Sequence, residues 1–214
     1  MSSDESRPGA DSQLSALRNV TDARTLRALT HPVRIAIIET LSRESALTAT
    51  ELGERIGESP TTCSFHLRQL ARYGFVEEAG GGKGRARPWK MTSIGFRISG
   101  TRGDADTELA AGALGRLLAD RQFARYQAWL RTRAAYPRPW RQAAGSTESV
   151  LYLTAGELER LHDELTEVLL TRYRERLTDP GQRPPGSLPV EFLLYGYPIA
   201  PAPGTSGGGD PPPA

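Results

Sequence analysis

The chain has 214 residues, with 27 Lys or Arg against 25 Asp or Glu and a formal charge of +2, enough for one ordinary domain and a smaller one. One cysteine and three scattered histidines exclude an internal disulfide and leave almost no material for a zinc finger or a multi-ligand metal site. No run reaches the ~18 apolar residues of a membrane helix, and the opening MSSDESRPGADSQLS has no apolar stretch of a secretory signal, so a cytoplasmic protein away from membranes is expected.

The small net charge hides an uneven distribution. From Asp22 to Glu58 five bases face six acids, whereas from Ser59 to Arg97 seven bases face two acids, a local balance of +5. A basic segment this short is what a phosphate-facing surface looks like in sequence.

Residues 1–18 read as a disordered extension and residues 199–214 as a disordered Pro/Gly-rich tail. A first helix spans Asp22 to Leu29, with Leu26 and Leu29 inward. His31-Pro32 restarts the chain as cap and first helical residue, and Val33, Ile37, Ile38 and Leu41 form the next inward face. Thr48-Ala-Thr-Glu51 is a capping box that opens a third helix with Leu52 and Ile56 inward, and Gly57 closes it. Ser59 then caps a fourth helix from Pro60 to Tyr73, and the tight Gly-containing turn between the two predicts a helix-turn-helix.

On that fourth helix Cys63, Leu67 and Leu70 share the inward face. Thr61, Phe65, Arg68, Gln69 and Arg72 share the outward one, with Thr62 and Ser64 at its flanks. Guanidinium, carboxamide, hydroxyl and an apolar ring are the groups that read base edges and phosphates, which makes these residues, with Ser59 and His66, candidates for DNA contact. Cys63 and His66 at i, i+3 resemble a nucleophile and base, but a thiol beside Leu67 in the core is inert, and His66 at the edge of that face is equally suited to phosphate or to packing. His162 stands alone and suggests nothing.

Gly74 ends the helix, and residues 75–79 and 87–92 predict two short strands with Trp89 and Met91 on one face. Between them GGGKGRAR carries Lys83, Arg85 and Arg87 at a Gly-rich tip. It is no phosphate loop, because Lys83 is followed by glycine and a strand comes next instead of a helix.

LRALTHPVRIAIIETL, then TATELGERIGESPTTCSFHLRQLARYGFVEE and the basic Gly-rich hairpin, resemble the ArsR-type winged-helix transcriptional regulators. The narrower likeness is to an actinobacterial-style branch with the DNA-binding domain at the N-terminus. The resemblance covers about residues 22–97 and implies a winged helix-turn-helix over residues 19–97. It also implies a homodimer on operator double-stranded DNA, residues 60–72 as the recognition helix and residues 80–87 as the wing. Metal-sensing members carry a cysteine pair in the helix before recognition or His and Asp on a long dimer helix. Neither set is present here, so no metal and no cofactor is expected.

Residues 98–104 interrupt the periodic pattern. One long helix follows from Asp106 to Arg133, too apolar for a lone surface helix, which places Leu117, Tyr126, Trp129 and Leu130 in a dimer interface. Residues 148–153 and 190–195 predict strands flanking a helix that starts at the capping box Thr154-Ala-Gly-Glu157 and buries Leu158, Leu161, Leu165, Val168 and Leu169. The expected fold is therefore mainly α with small β, its winged domain followed by a long helix and a strand-helix-strand appendage over residues 104–198. That appendage could enlarge the dimer or hold a small-molecule effector. No nucleophile, base and orienter assemble, so an enzyme is not expected. A winged helix used only for protein–protein contact is the alternative.

Overall fold

The structure, a computed structural model, describes residues 17–44, 46–80, 87–98 and 104–200. It is mostly helix with small strands, as expected. Helix α1 (Ala23–Leu29) opens at Asp22, whose carboxylate accepts the Thr25 N–H at 2.8 Å. In α2 (Pro32–Arg43) His31 is the cap, its Nδ1 accepting the Val33 N–H at 3.2 Å. Thr48 and Glu51 complete the reciprocal capping box of α3 (Ala49–Ile56), and Ser59 caps α4 (Pro60–Arg72).

The inward faces of these helices close on one another. Leu26, Leu29, Ile37, Leu52, Cys63, Leu67 and Leu70 are fully excluded from water. Ile35 joins them, while Val33, expected inside, is only half-buried at the fringe. Phe75 sits at the centre, with Phe96 edge-on to its ring at 6.1 Å.

Strands β2 (Val76–Glu78) and β3 (Trp89–Met91) form the expected antiparallel hairpin, with Glu77 opposite Lys90. Leu47 bridges to Trp89 and extends it. A second ladder was not legible: β1 (Leu17–Val20) runs parallel to β4 (Gly95–Ile98), Leu17 beside Gly95 and Val20 beside Ile98. Leu17 and Arg18 thus belong to the folded unit, not to a disordered extension. Four-residue strands paired across the whole domain leave almost no periodic signal in sequence.

Helix α5 (Ala105–Thr132) is capped by Asp104 and packs its first half on α1, burying Thr107, Ala110 and Leu114. A single 3₁₀ turn at Arg133–Ala135 and the short α6 (Arg138–Ala143) lead to α7 (Ala155–Thr178), which opens on its own capping box at Thr154 and Glu157. The flanking strands do not form: residues 148–153 and 190–195 run without a ladder. Their composition suits a strand, but among the described residues no neighbouring strand offers hydrogen bonds. The buried face of α7 also differs, since Thr166 and Leu170 are inside while Leu165 and Val168 are exposed. Without the two strands there is no sheet for those side chains to pack on. The expected tails, apart from residues 17, 18, 199 and 200, lie outside the described residues.

Candidate nucleic-acid interface

The angle between α3 and α4 is set by a tight turn. Gly57 takes φ 74°, the left-handed conformation that a residue without Cβ adopts at little cost. Its N–H and that of Glu58 both donate to the Gly53 carbonyl, at 2.9 and 3.0 Å. The backbone then passes so close to α3 that a Cβ on Gly53 would lie 2.5 Å from the Glu58 oxygen. Ser59 fixes the start of α4: its Oγ accepts the Thr62 N–H at 3.0 Å and lies 2.8 Å from Thr62 Oγ1.

With Cys63, Leu67 and Leu70 locked inward, α4 presents Thr61, Phe65, Arg68 and Arg72 to solvent, with Thr62, Ser64 and Gln69 half-exposed. Phe65 is 50% exposed and is the one large apolar side chain so placed among the described residues 17–98. Arg68 and Arg72 make no ion pair within the described residues, so both guanidiniums are available to an external anion. Burial raises the Cys63 thiol above its ordinary pKa, as befits a core residue.

His66 takes the packing side of its two readings. It is buried, its ring 4.4 Å from that of His31 and edge-on to Phe65 at 5.2 Å, so it supports the exposed ring from behind instead of facing outward. The helix turns its position one step further inward than the edge of the apolar face suggested. Burial lowers its pKa, with His31 and Arg34 adding to the shift and Glu58 opposing it, and its Nδ1 has no partner.

In the hairpin Lys90 lies 3.2 Å from Glu77, and Arg87 donates to Glu78 at 2.7 Å. Arg87 is exposed at the base of the hairpin with part of its charge already answered. Lys83 and Arg85 lie outside the described residues.

Residues 29–79 match the family model described as a helix-turn-helix domain. This segment is a helix-turn-helix. No curated protein matches the chain. Among solved structures, reduced HlyU from Vibrio cholerae is 19% identical, over 50% of this chain and 90% of its own, with a TM-score of 0.28. The homodimeric winged helix-turn-helix DNA-binding domain of Mb0332 from Mycobacterium bovis, a possible ArsR-family transcriptional regulator, is 21% identical over 56% and 91%, with a TM-score of 0.29. MarR from E. coli is 19% identical over 68% and 87%, also at 0.29. Likeness this distant assigns no activity to the chain.

Behind the helix-turn-helix, α5 is clamped to α2 by charge. Arg121 and Arg125 each donate to Glu39 at 2.7 Å, and Arg125 also reaches Glu191 at 2.5 Å. Burial pushes the Glu39 carboxyl up, but the two guanidiniums outweigh it and hold it below its ordinary value. The i, i+4 spacing of the two arginines was visible in sequence, whereas a carboxylate 82 residues away was not. The same holds for Arg18, whose guanidinium lies 4.1 Å over the Phe75 ring.

The four residues expected at a dimer interface differ in placement. Leu117 packs against the winged core of its own chain. Tyr126 and Trp129 are half-buried and stacked on each other at 5.8 Å, with Arg133 over the indole, and Leu130 is exposed. Among the described residues no three His, Cys, Asp or Glu side chains form a group able to hold a metal, and no helix is long and apolar enough to cross a membrane.

Proposed function

We propose that this chain is a transcription regulator of repressor type that binds a palindromic operator as a homodimer and does not sense metal. In this reading Ser59, Thr61, Thr62, Ser64, Phe65, Arg68, Gln69 and Arg72 of α4 enter the major groove, and His66 holds Phe65 in place. The hairpin tip with Lys83, Arg85 and Arg87 follows the flanking phosphates. The second half of α5, through Tyr126, Trp129 and Leu130, meets the partner subunit, so that two α4 helices reach grooves about 34 Å apart. The supporting observation is the outward face of α4, where a half-exposed Phe65 stands beside two unpaired guanidiniums on a helix rigidly set by its turn and core.

The test is a duplex selected from a random pool, followed by titration of variants on it and on random duplex. Arg68→Ala should lose about 1–3 kcal/mol of discrimination, the worth of a bidentate base contact. Replacing Lys83, Arg85 and Arg87 together by Ala should weaken both duplexes alike and flatten the salt dependence. No enriched sequence, or a triple variant that changes sequence preference with an unaltered salt slope, overturns the assignment.

A further inference from the structure

Residues 148–153 and 190–195 have the composition of strands and join no sheet among the described residues. Val150, Leu151, Tyr152 and Leu153 in the first, and Val190, Phe192, Leu193 and Tyr195 in the second, have strand-forming composition and are all exposed, Tyr152 by 99%. Within the described residues, no backbone N–H or C=O of either segment bonds to other backbone. Such an open edge is a template for another strand.

Both segments lie at the same end of α7. Thr154, directly after the first, caps that helix, and Gly196, directly after the second, lies so close to Leu158 that a Cβ there would be 2.8 Å from Leu158 Cδ1. The second segment is also anchored: Glu191 accepts from Arg125, and the Tyr195 hydroxyl donates to Gln122. A segment already held on α5 has less freedom to lose when a partner strand arrives.

We infer that residues 148–153 of one copy pair as a strand with residues 190–195 of a second copy, and the reverse, in an isologous interface. A two-fold axis repeats each contact, so one chain supplies both complementary edges without an unrelated partner. The area is of the right size. Val150, Leu151, Tyr152, Val190, Phe192 and Tyr195, each more than half exposed, together offer on the order of 500–900 Å². A standard interface buries about 800 Å² per partner. The exposed Leu165 and Val168 of α7 would then have a sheet to meet. This inference rests on the homodimer in the functional reading and adds a strand contact around α7 to the one that reading places on α5.

Sedimentation of the full-length chain tests it without DNA. Leu151→Pro with Phe192→Pro, which remove ladder donors, should weaken the dimer by about 30-fold or more, the scale of losing a buried anchor. Helix content by circular dichroism should be unchanged. In a Cys63→Ala background, differently tagged chains carrying Leu151→Cys and Phe192→Cys should form a disulfide that joins the two tags. A monomeric parent chain overturns this pairing and the homodimer together. A dimer indifferent to the proline changes, or a cysteine pair that closes only within one chain, overturns the pairing and leaves the homodimer standing. Binding of Arg68 variants to duplex is a separate readout, so failure of DNA recognition is distinguishable from either.

Discussion

Residues 17–98 and residues 104–200 are comparable in length and opposite in how they treat apolar side chains. Eleven of the twelve largest fully buried side chains lie in the first region, with Leu114 the exception, and only Phe65 among its large apolar residues is exposed. In the second region nineteen large apolar residues are exposed, from Leu109 to Ile199. The first region closes because four short helices turn their inward faces to one another around Phe75. The second is tied on by the apolar start of α5, where Ala110, Leu114 and Leu117 pack on the core, and by polar contacts, Glu39 with Arg121 and Arg125, and Arg97 with Asp163 at 2.6 Å. Beyond these it leaves most of its large apolar residues exposed. An apolar pattern in sequence therefore states that a surface is to be covered, and not which chain covers it.

The sharpest way to break this contrast is to truncate one leucine in each region. Leu67→Ala, on the buried face of α4, should cost about 2–5 kcal/mol by urea unfolding and loosen that helix. Leu165→Ala, on the exposed side of α7, should stay within about 0.5 kcal/mol in dilute, monomeric protein. Equal losses in that state would mean that the second region has a closed core of its own.

The link between the regions comes next in size. Glu39 is held below its ordinary pKa of 4.5 by Arg121 and Arg125, against the effect of burial. A lowered carboxyl contributes stability above its unfolded value, and the contribution is lost as pH falls through the folded one. Glu39→Gln should therefore cost about 1–3 kcal/mol at neutral pH, and the difference from the parent should shrink below about pH 4. Urea unfolding at both pH values checks this. A loss that does not change with pH would assign Glu39 a packing role instead.

Much of the first region was readable because its signals are local. The caps at His31, Thr48 and Ser59, the stop at Gly57 and the inward set Cys63, Leu67 and Leu70 each depend on residues within four positions, and each stands as expected. The β1–β4 ladder joins residues 78 apart and so leaves no local signal. In the second region the cap of α7 is equally legible, whereas Asp104, which caps α5, falls in the stretch read as an interruption, and residues 148–153 and 190–195 read as strands from side chains alone. Strand character is fulfilled by a neighbour, and composition does not say whether the same chain provides it. On α4, His66 is ambiguous because a boundary position on a wheel can turn either way, and the His31 ring it packs against lies on another element.

The smallest effect concerns that histidine and refines the comparison from inside the first region. A core that excludes water from Cys63 and Leu67 also holds the His66 imidazole beside His31, Arg34 and Glu58. Burial is the main cause of its lowered pKa, followed by His31 and Arg34, with Glu58 acting the other way. For a histidine whose folded value lies below its unfolded 6.5, stability is complete above that value. It falls as pH drops, because the unfolded chain binds the proton first. Melting of the parent should weaken below about pH 6.5, and His66→Gln should flatten that dependence. An NMR titration of the His66 ring should show a midpoint below that of free histidine. A midpoint above 6.5, or a stability dependence on pH that persists in the glutamine variant, would mean that burial does not govern this imidazole.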